Sequence, residues 1–314
     1  MKNKKVLVTG GAGCIGSSLV ERLLEDGHEV TVIDNLSSGK LEHLKNVIEN
    51  PRLEFIEGDV KTYDLESIIF GKDVVFHLSA NPDIKYKDGD PADKDMKENT
   101  LVTYRLLEAM RKVCVTKIVF SSSSAVYGEI SDYTPEDAAL KPISLYGASK
   151  AACEHVINAY CSMFGFQAWV FRFANIIGGK SRQTGTTVLT DFINRLKTNP
   201  AELLILGNGL QRKAYMTNED CIDGIMFGLE NSTGSFNLFN LGPDDCIEIN
   251  QVAKLVAEKM KLNPKLRYTG GNRGWPGDAP VSLLNTQKMK KLGWKPKNNS
   301  KKAVEIAINA LLGI

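Results

Sequence analysis

The sequence lacks a CxxC pair, lacks any hydrophobic run long enough to cross a bilayer, and carries almost no excess charge of either sign. Each absence excludes a class of function. The six cysteines (Cys14, Cys114, Cys153, Cys161, Cys221 and Cys246) stand apart, mostly among apolar neighbours, which favours reduced buried thiols over disulfides or zinc. Only four histidines occur, and none has ligand spacing to another or to a cysteine, so no metal is expected. A net charge of +2, from 39 basic and 37 acidic residues spread along the chain, gives no electrostatic basis for binding nucleic acid or an anionic membrane. The basic start MKNKK is followed by only VLV before Thr9 and two glycines, too short for the apolar region of a signal peptide. A reducing cytoplasm fits these features. There is no internal repeat and no low-complexity tract.

What is present is a rhythm. Short apolar runs (KVLVTG, EVTVID, LEFIEGDV, DVVFHLSA, KIVFSSS) alternate with helical patterns near 15–27, 40–49 and 92–112, and a long helix opening near Leu145 is followed by AWVFRFAN. This is the signature of βαβ units in a doubly wound parallel sheet of Rossmann type, an α/β fold. At 314 residues the chain exceeds a single-core size, so a smaller α/β substrate-binding domain is expected beside the sheet. The division reads as 1–174 for the sheet, with a return near 215–242, and 175–314 mainly for the smaller part. The string GGNRGWPGDAP, at 270–280, reads as a loop.

Directly after the first strand, TGGAGCIG supplies Gly11, Gly13 and Gly16 in G-x-G-x-x-G spacing, followed by the helical pattern SSLVERLLEDG. Glycines there let the backbone turn tightly and approach a pyrophosphate, while the helix N-terminus favours negative charge. Gly10, Gly13, Cys14, Ile15 and Gly16 are therefore candidate dinucleotide contacts. Asp34 ends the second strand, eighteen residues beyond Gly16, where a carboxylate accepts from ribose hydroxyls and repels the extra phosphate of NADP. The expected cofactor is NAD. Asp59, after FIEG, is placed to reach the adenine edge.

Of the nine tyrosines only Tyr146 has a lysine, Lys150, four positions later, and such positions share a helix face. The pair alone carries little, since about one such pair in two chains arises by chance at ordinary lysine frequency. Its context adds to it: the strand KIVF ends in Ser121, Ser122, Ser123 and Ser124, delivering hydroxyls at the carboxyl edge of the sheet, where ligands bind in this architecture. A phenol has an ordinary pKa near 10, and a cation beside it favours the phenolate. Tyr146 is thus the candidate base and Lys150 its cation, with a serine of this run as the hydroxyl that bonds the reacting oxygen.

The glycine loop, the serines and the Tyr-x-x-x-Lys pair together resemble the extended short-chain dehydrogenase/reductase family, and within it the nucleotide-sugar epimerases; the family's pattern, counted back four from Tyr127, implies Ser123 as the serine that bonds the reacting oxygen. Segments such as HLSANPDIK, PISLYGASK, RFANIIG and RGWPGD carry the likeness over nearly the full length, nearest the short archaeal and bacterial UDP-glucose (UDP-galactose) 4-epimerases. Related dehydratases and decarboxylases carry an acidic residue two or three positions before Tyr127. Here Ser124 and Ala125 stand there, so the likeness narrows to epimerases. The resemblance implies hydride removal and return at sugar C4 through a 4-keto intermediate on tightly held NAD, with a UDP-hexose as substrate. It further implies a homodimer built through the helices near 92–112 and 148–164.

The same resemblance adds Asn35, Ser38, Gly39, Val60, Leu78, Ala80, Lys85, Asn99 and Ser121 to the cofactor site, with Lys150 also holding the nicotinamide ribose. On the substrate side it adds Ser124, Asn175, Thr187, Val188, Lys213, Arg273 and Asp278, with Asn175 bonding the diphosphate and Lys213 and Arg273 neutralising it. The chain departs from the pattern in three places. SRQTGTTVLTDFI lacks the usual histidine-glycine, Ala214 replaces a polar residue, and Trp275 stands where an arginine usually precedes Pro-Gly-Asp. Four residues after Asp278 comes Ser282 rather than a bulky aromatic, which implies room for UDP-N-acetylglucosamine as well as UDP-glucose. Two alternatives stay open: another NAD-dependent nucleotide-sugar epimerase, for example of UDP-glucuronate, or an oxidoreductase of the same superfamily. A non-catalytic regulator typically loses the tyrosine or the lysine, and both are present.

Overall fold

A computed structural model describes residues 3–81, 83–85, 89, 91–129, 133–178 and 187–314. Six strands, β1 (Lys5–Thr9), β2 (Glu29–Asp34), β3 (Leu53–Glu57), β4 (Val74–His77), β5 (Lys117–Ser123) and β6 (Gln167–Phe173), join the strand Phe236–Leu241 in one sheet. Its order is Phe236–Leu241, β6, β5, β4, β1, β2, β3, and every pairing is parallel. A parallel sheet must be covered on both faces, and the strands read accordingly as nearly unbroken apolar runs. Val6, Val8, Val32, Phe76 and Val119 face one core with helix α1 (Cys14–Glu25) and the helix Asn218–Glu230. Leu7, Ile33, Val75, Ile118 and Phe120 face the other, with α2 (Leu65–Ile69), α3 (Val102–Lys112) and α4 (Leu145–Phe164). A separate core is built by Leu189, Phe192, Leu203, Val252, Val256, Ala303 and Val304 from the C-terminal part.

Two expected helices differ. The segment 40–49 forms only a 3₁₀ turn at Leu41–Leu44, because the His43 ring turns inward to hydrogen-bond the Ala12 carbonyl (2.8 Å). The helix near 92–112 begins as a π-helical stretch, Met96–Leu101, before α3. Within it the Thr103 hydroxyl takes the Asn99 carbonyl (2.8 Å), competing with the regular ladder, as is common near functional sites.

The chain reverses its winding between β1 and β4, the two strands that flank the switch point of the sheet, and α/β folds bind ligands beyond the carboxyl ends of such strands. Helix α4 starts at this edge. The Ser144 hydroxyl accepts from Gly147 N–H (3.1 Å) to start it, and Gly165 at φ +68° ends it. The small residues between Tyr146 and Lys150 have a packing reason: a Cβ on Gly147 would lie 2.4 Å from the Ala125 carbonyl oxygen. Glycine therefore lets α4 press directly on the turn after β5.

Candidate active site

The glycine loop is shaped by close approach. Gly10 adopts φ +72°, its N–H bonds the Ile33 carbonyl (2.9 Å), and a Cβ there would meet the Ser79 nitrogen at 2.8 Å. A Cβ on Gly16 would fall 2.1 Å from the Gly10 oxygen, so α1 can seat against the turn only with glycine. Gly13 is the N-cap of α1 and no side chain caps the helix, nor is there an acid in its first turn. The amides are left to an anion. Asp34 is buried at the end of β2 and accepts from Ala12 N–H and Leu36 N–H, each at 2.9 Å, one on each oxygen, which leaves lone pairs for ribose hydroxyls.

Most expected cofactor residues line one cleft: Gly10, Gly13, Cys14, Ile15, Gly16, Asp34, Asn35, Ser38, Asp59, Val60, Leu78, Ala80, Ser121, Tyr146 and Lys150. Three do not. Gly39 packs under the glycine loop, where a Cβ would stand 2.9 Å from the Ala12 carbonyl carbon. Lys85 is exposed in a turn closed by Asp83. Asn99 is buried with its amide engaged, accepting from Asn81 N–H (2.8 Å) and donating to the Ser149 hydroxyl (2.8 Å). It ties the loop after β4 to α4.

Ser123, Tyr146 and Lys150 converge at the end of β5. The buried Lys150 ammonium donates to the Ser121 carbonyl (2.9 Å) and sits over the Phe120 ring at 4.7 Å and the Tyr146 ring at 5.9 Å from their centroids. Burial holds its pKa down, to about 8. Burial likewise pushes the Tyr146 phenol up, to about 12, against a hydrogen bond from Ser123 that pulls it down. Within the chain alone burial prevails, and the phenol is neutral at pH 7. The fully buried His77 hydrogen-bonds Thr9 (2.8 Å) and Thr103 (3.0 Å), and burial, with the nearby Lys150 charge, lowers its pKa to about 3. It stays neutral and adds no second charge beneath the site.

The substrate-side residues fall on other elements. Ser124 opens the turn after β5, and the Ser282 hydroxyl lies 3.4 Å from its own. The Asn175 amide donates to the Ala214 carbonyl (3.0 Å). Thr187 caps the helix Val188–Thr198 through a reciprocal capping box with Thr190. Lys213 pairs with Asp278 (2.6 Å) and also donates to the Ala279 carbonyl, while Arg273 pairs with Glu129 (2.6 Å) and reaches the Asp278 carbonyl (3.3 Å). Both cations thus gather around the turn 274–278, which Asp278 closes by accepting Gly274 N–H (3.0 Å). The departure in the loop before Val188 lies at 179–186, outside the described residues.

Sequence reasoning missed several residues at the site. Asn218 donates to the Cys14 carbonyl (3.0 Å) and anchors the glycine loop to the helix behind it. Phe173 also lines the cleft. No local spacing marks them, because each acts on a segment distant in sequence.

A glycine cradle at a switch point, an acid on the second strand and a Ser/Tyr/Lys cluster define a dinucleotide-dependent enzyme of the short-chain dehydrogenase type. The sequence pattern of the NAD dependent epimerase/dehydratase family matches residues 6–242, and this chain belongs to that family. A UDP-glucose 4-epimerase of Mycolicibacterium smegmatis is 31% identical over 297 residues, 93% of either chain. A crystal structure of a UDP-galactose 4-epimerase matches with a TM-score of 0.86 at 37% identity, covering 98% of this chain and 99% of its own. The UDP-glucuronic acid 4-epimerase of Bacillus cereus, solved with UDP-glucuronic acid and NAD, matches with a TM-score of 0.90 at 26% identity over 98% and 99%. The family's cofactor is NAD, and the tight glycine turn, the uncapped helix and Asp34 fit that group. No helix among the described residues is long and apolar enough to cross a membrane.

Proposed function

We propose that this chain is a UDP-sugar 4-epimerase, an isomerase that interconverts UDP-glucose and UDP-galactose on tightly held NAD. The observation that carries the reading is the convergence of Ser123, Tyr146 and Lys150 at one strand end, with Ser124 and Ala125 rather than a carboxylate in the adjoining turn. Bound NAD supplies the hydride acceptor and donor. Tyr146, as the phenolate that the Lys150 charge and the positive charge of bound NAD would favour, takes the proton of the C4 hydroxyl as the C4 hydride departs, leaving a 4-keto sugar, and gives it back after the sugar has turned its other face. Ser123 bonds that oxygen in both directions, and Lys150 keeps a positive charge beside it. Proton and hydride both return, so there is no net redox. On the substrate side, Asn175, Lys213, Arg273 and Asp278 form the diphosphate end, and Thr187 and Val188 the nucleotide end. Residues 1–174 with the return near 215–242 hold NAD and 175–314 mainly hold substrate, a division supported by the separate core of the latter.

The approach of Ser282 to Ser124 supports an open C2 side, and hence use of UDP-N-acetylglucosamine too. Ser282→Tyr should then lower activity on the N-acetylated sugar at least tenfold relative to UDP-glucose, and an unchanged ratio would remove Ser282 from the pocket wall. Exposed apolar side chains on the outer faces of the helices, among them Leu101, Tyr104 and Met163, support a homodimer, which sedimentation at micromolar concentration tests. Six free thiols support a cytoplasmic setting. The test of the reading is a panel of UDP-glucose, UDP-galactose, UDP-glucuronate and UDP-N-acetylglucosamine followed by product identity. Conversion confined to the glucuronate pair would replace the proposed substrate.

A further inference from the structure

Three consecutive serines close β5, and each engages a different turn of α4. Ser123 lies close enough to the Tyr146 phenol to pull its pKa down, the Ser121 carbonyl takes the Lys150 ammonium (2.9 Å), and the Ser122 hydroxyl donates to Glu154. Tyr146, Lys150 and Glu154 are spaced by four and share one helix face. The chemistry proposed above uses the first two rungs and leaves the third unexplained. Glu154 and its partner Arg172 on β6 are both buried at 3% exposure, with Arg172 Nη2 2.6 Å and Nε 3.0 Å from the two carboxylate oxygens.

The network does not stop at the pair. Arg172 Nη1 donates to the Tyr127 hydroxyl (2.7 Å), which donates to Asn240 Oδ1 (2.7 Å). The Asn240 amide donates in turn to the Thr134 carbonyl (2.8 Å) and the Asn285 carbonyl (3.0 Å). Thr134 N–H bonds the carbonyl of Leu283 (3.1 Å), the residue after Ser282. Burial pushes the Tyr127 phenol up to about 12, so it remains a neutral link. An unbroken chain of polar contacts therefore runs from the catalytic strand end to the segment carrying Ser282. Stability is a poor reason for such a pair, since apolar residues of similar volume generally serve a core as well or better. What a forked, doubly bonded ion pair supplies is fixed orientation.

We infer that Glu154 and Arg172 form a positioning unit that holds the end of β5 in register with α4, so that Ser123 meets Tyr146, and couples that register to the strand Val281–Ser282. The kinetic consequence rests on the epimerase reading; the structural coupling does not. The experiment compares the NAD-loaded full chain with the double variant Glu154→Leu/Arg172→Met, which leaves no unpaired charge, and with Tyr127→Phe, which keeps the pair and cuts the chain beyond it. In the double variant, amide hydrogen exchange should accelerate together in 121–127 and 281–285, and kcat should fall on the order of 10–100-fold with KM changed less than about threefold, as for a displaced reacting group. Tyr127→Phe should accelerate exchange in 281–285 alone and leave kcat within about twofold. A folded double variant with parental exchange in either segment, or with kcat within about twofold of the parent, overturns the inference. If the double variant does not fold, Tyr127→Phe decides, and unchanged exchange in 281–285 overturns the coupling. A parent inactive on every UDP-sugar would defeat the epimerase reading instead, and the exchange data would still judge the coupling.

Discussion

The site holds its cations in two different ways. At the catalytic end, Lys150 is buried against a carbonyl and two aromatic rings, and the carboxylate one turn away, Glu154, is committed to Arg172. At the proposed diphosphate end, Lys213 and Arg273 are each paired with a carboxylate, Asp278 at 2.6 Å and Glu129 at 2.6 Å. A cation held by a carbonyl keeps its whole charge for the neighbouring phenol and ribose. A cation held by a carboxylate is already neutralised, and must loosen that partner to take a phosphate. The first arrangement is prepared at a cost to stability; the second is stable until substrate competes for it.

Breaking the catalytic end should have the largest effect. Tyr146→Phe should lower turnover by at least about 10²–10⁴-fold while NAD retention and the melting temperature stay near those of the parent. Lys150→Met should lose both turnover and cofactor retention, yet gain stability at neutral pH. The folded pKa of Lys150 is about 8 against an ordinary value of 10.5, so between these values the unfolded chain holds a proton that the folded chain has released. Parent stability attributable to this group therefore rises with pH across that window and is lowest below pH 8. Thermal melts at pH 7 and pH 10 check this. The variant should melt higher than the parent at pH 7 and lose that margin by pH 10, and a lower melting temperature at pH 7 would contradict the stated cost.

Smaller changes sharpen the comparison. Asp34→Asn removes a charged acceptor for the ribose, and should weaken NAD binding by about ten- to hundredfold while narrowing the preference over NADP, as titration of cofactor-stripped protein would read. Glu129→Gln should release Arg273 for the diphosphate and lower KM for the nucleotide sugar by only about two- to fivefold, because a part-exposed pair contributes roughly 0.2–1 kcal/mol. A higher KM would mean that Glu129 positions Arg273 rather than competing for it.

The two ends also differed in how far they could be read from residues alone. The glycine loop, Asp34 and the Ser123, Tyr146, Lys150 set are local patterns, fixed by strand, turn and helix geometry, and the structure places them around one strand end and one cleft. The alternation of apolar runs likewise gave the parallel sheet, although the His43 contact undid the helix expected at 40–49. Lys213 and Arg273 could be singled out, but not Asp278 and Glu129 as their partners, since those pairs join segments 65 and 144 residues apart. For the same reason the Glu154, Arg172, Tyr127, Asn240 chain left no signal: its members meet only once the sheet has closed, with Tyr127 and Asn240 113 residues apart.

In the proposed reaction hydride leaves and returns within one site. The direct measurement supplies UDP-glucose to the purified protein with no free NAD, following UDP-galactose by proton NMR and reduced nicotinamide by absorbance near 340 nm. An epimerase should give many turnovers to an equilibrium mixture of the two sugars without accumulation of reduced cofactor beyond the enzyme concentration. Product limited to one equivalent of enzyme, with stoichiometric reduced nicotinamide and turnover restored only by added NAD, would contradict it.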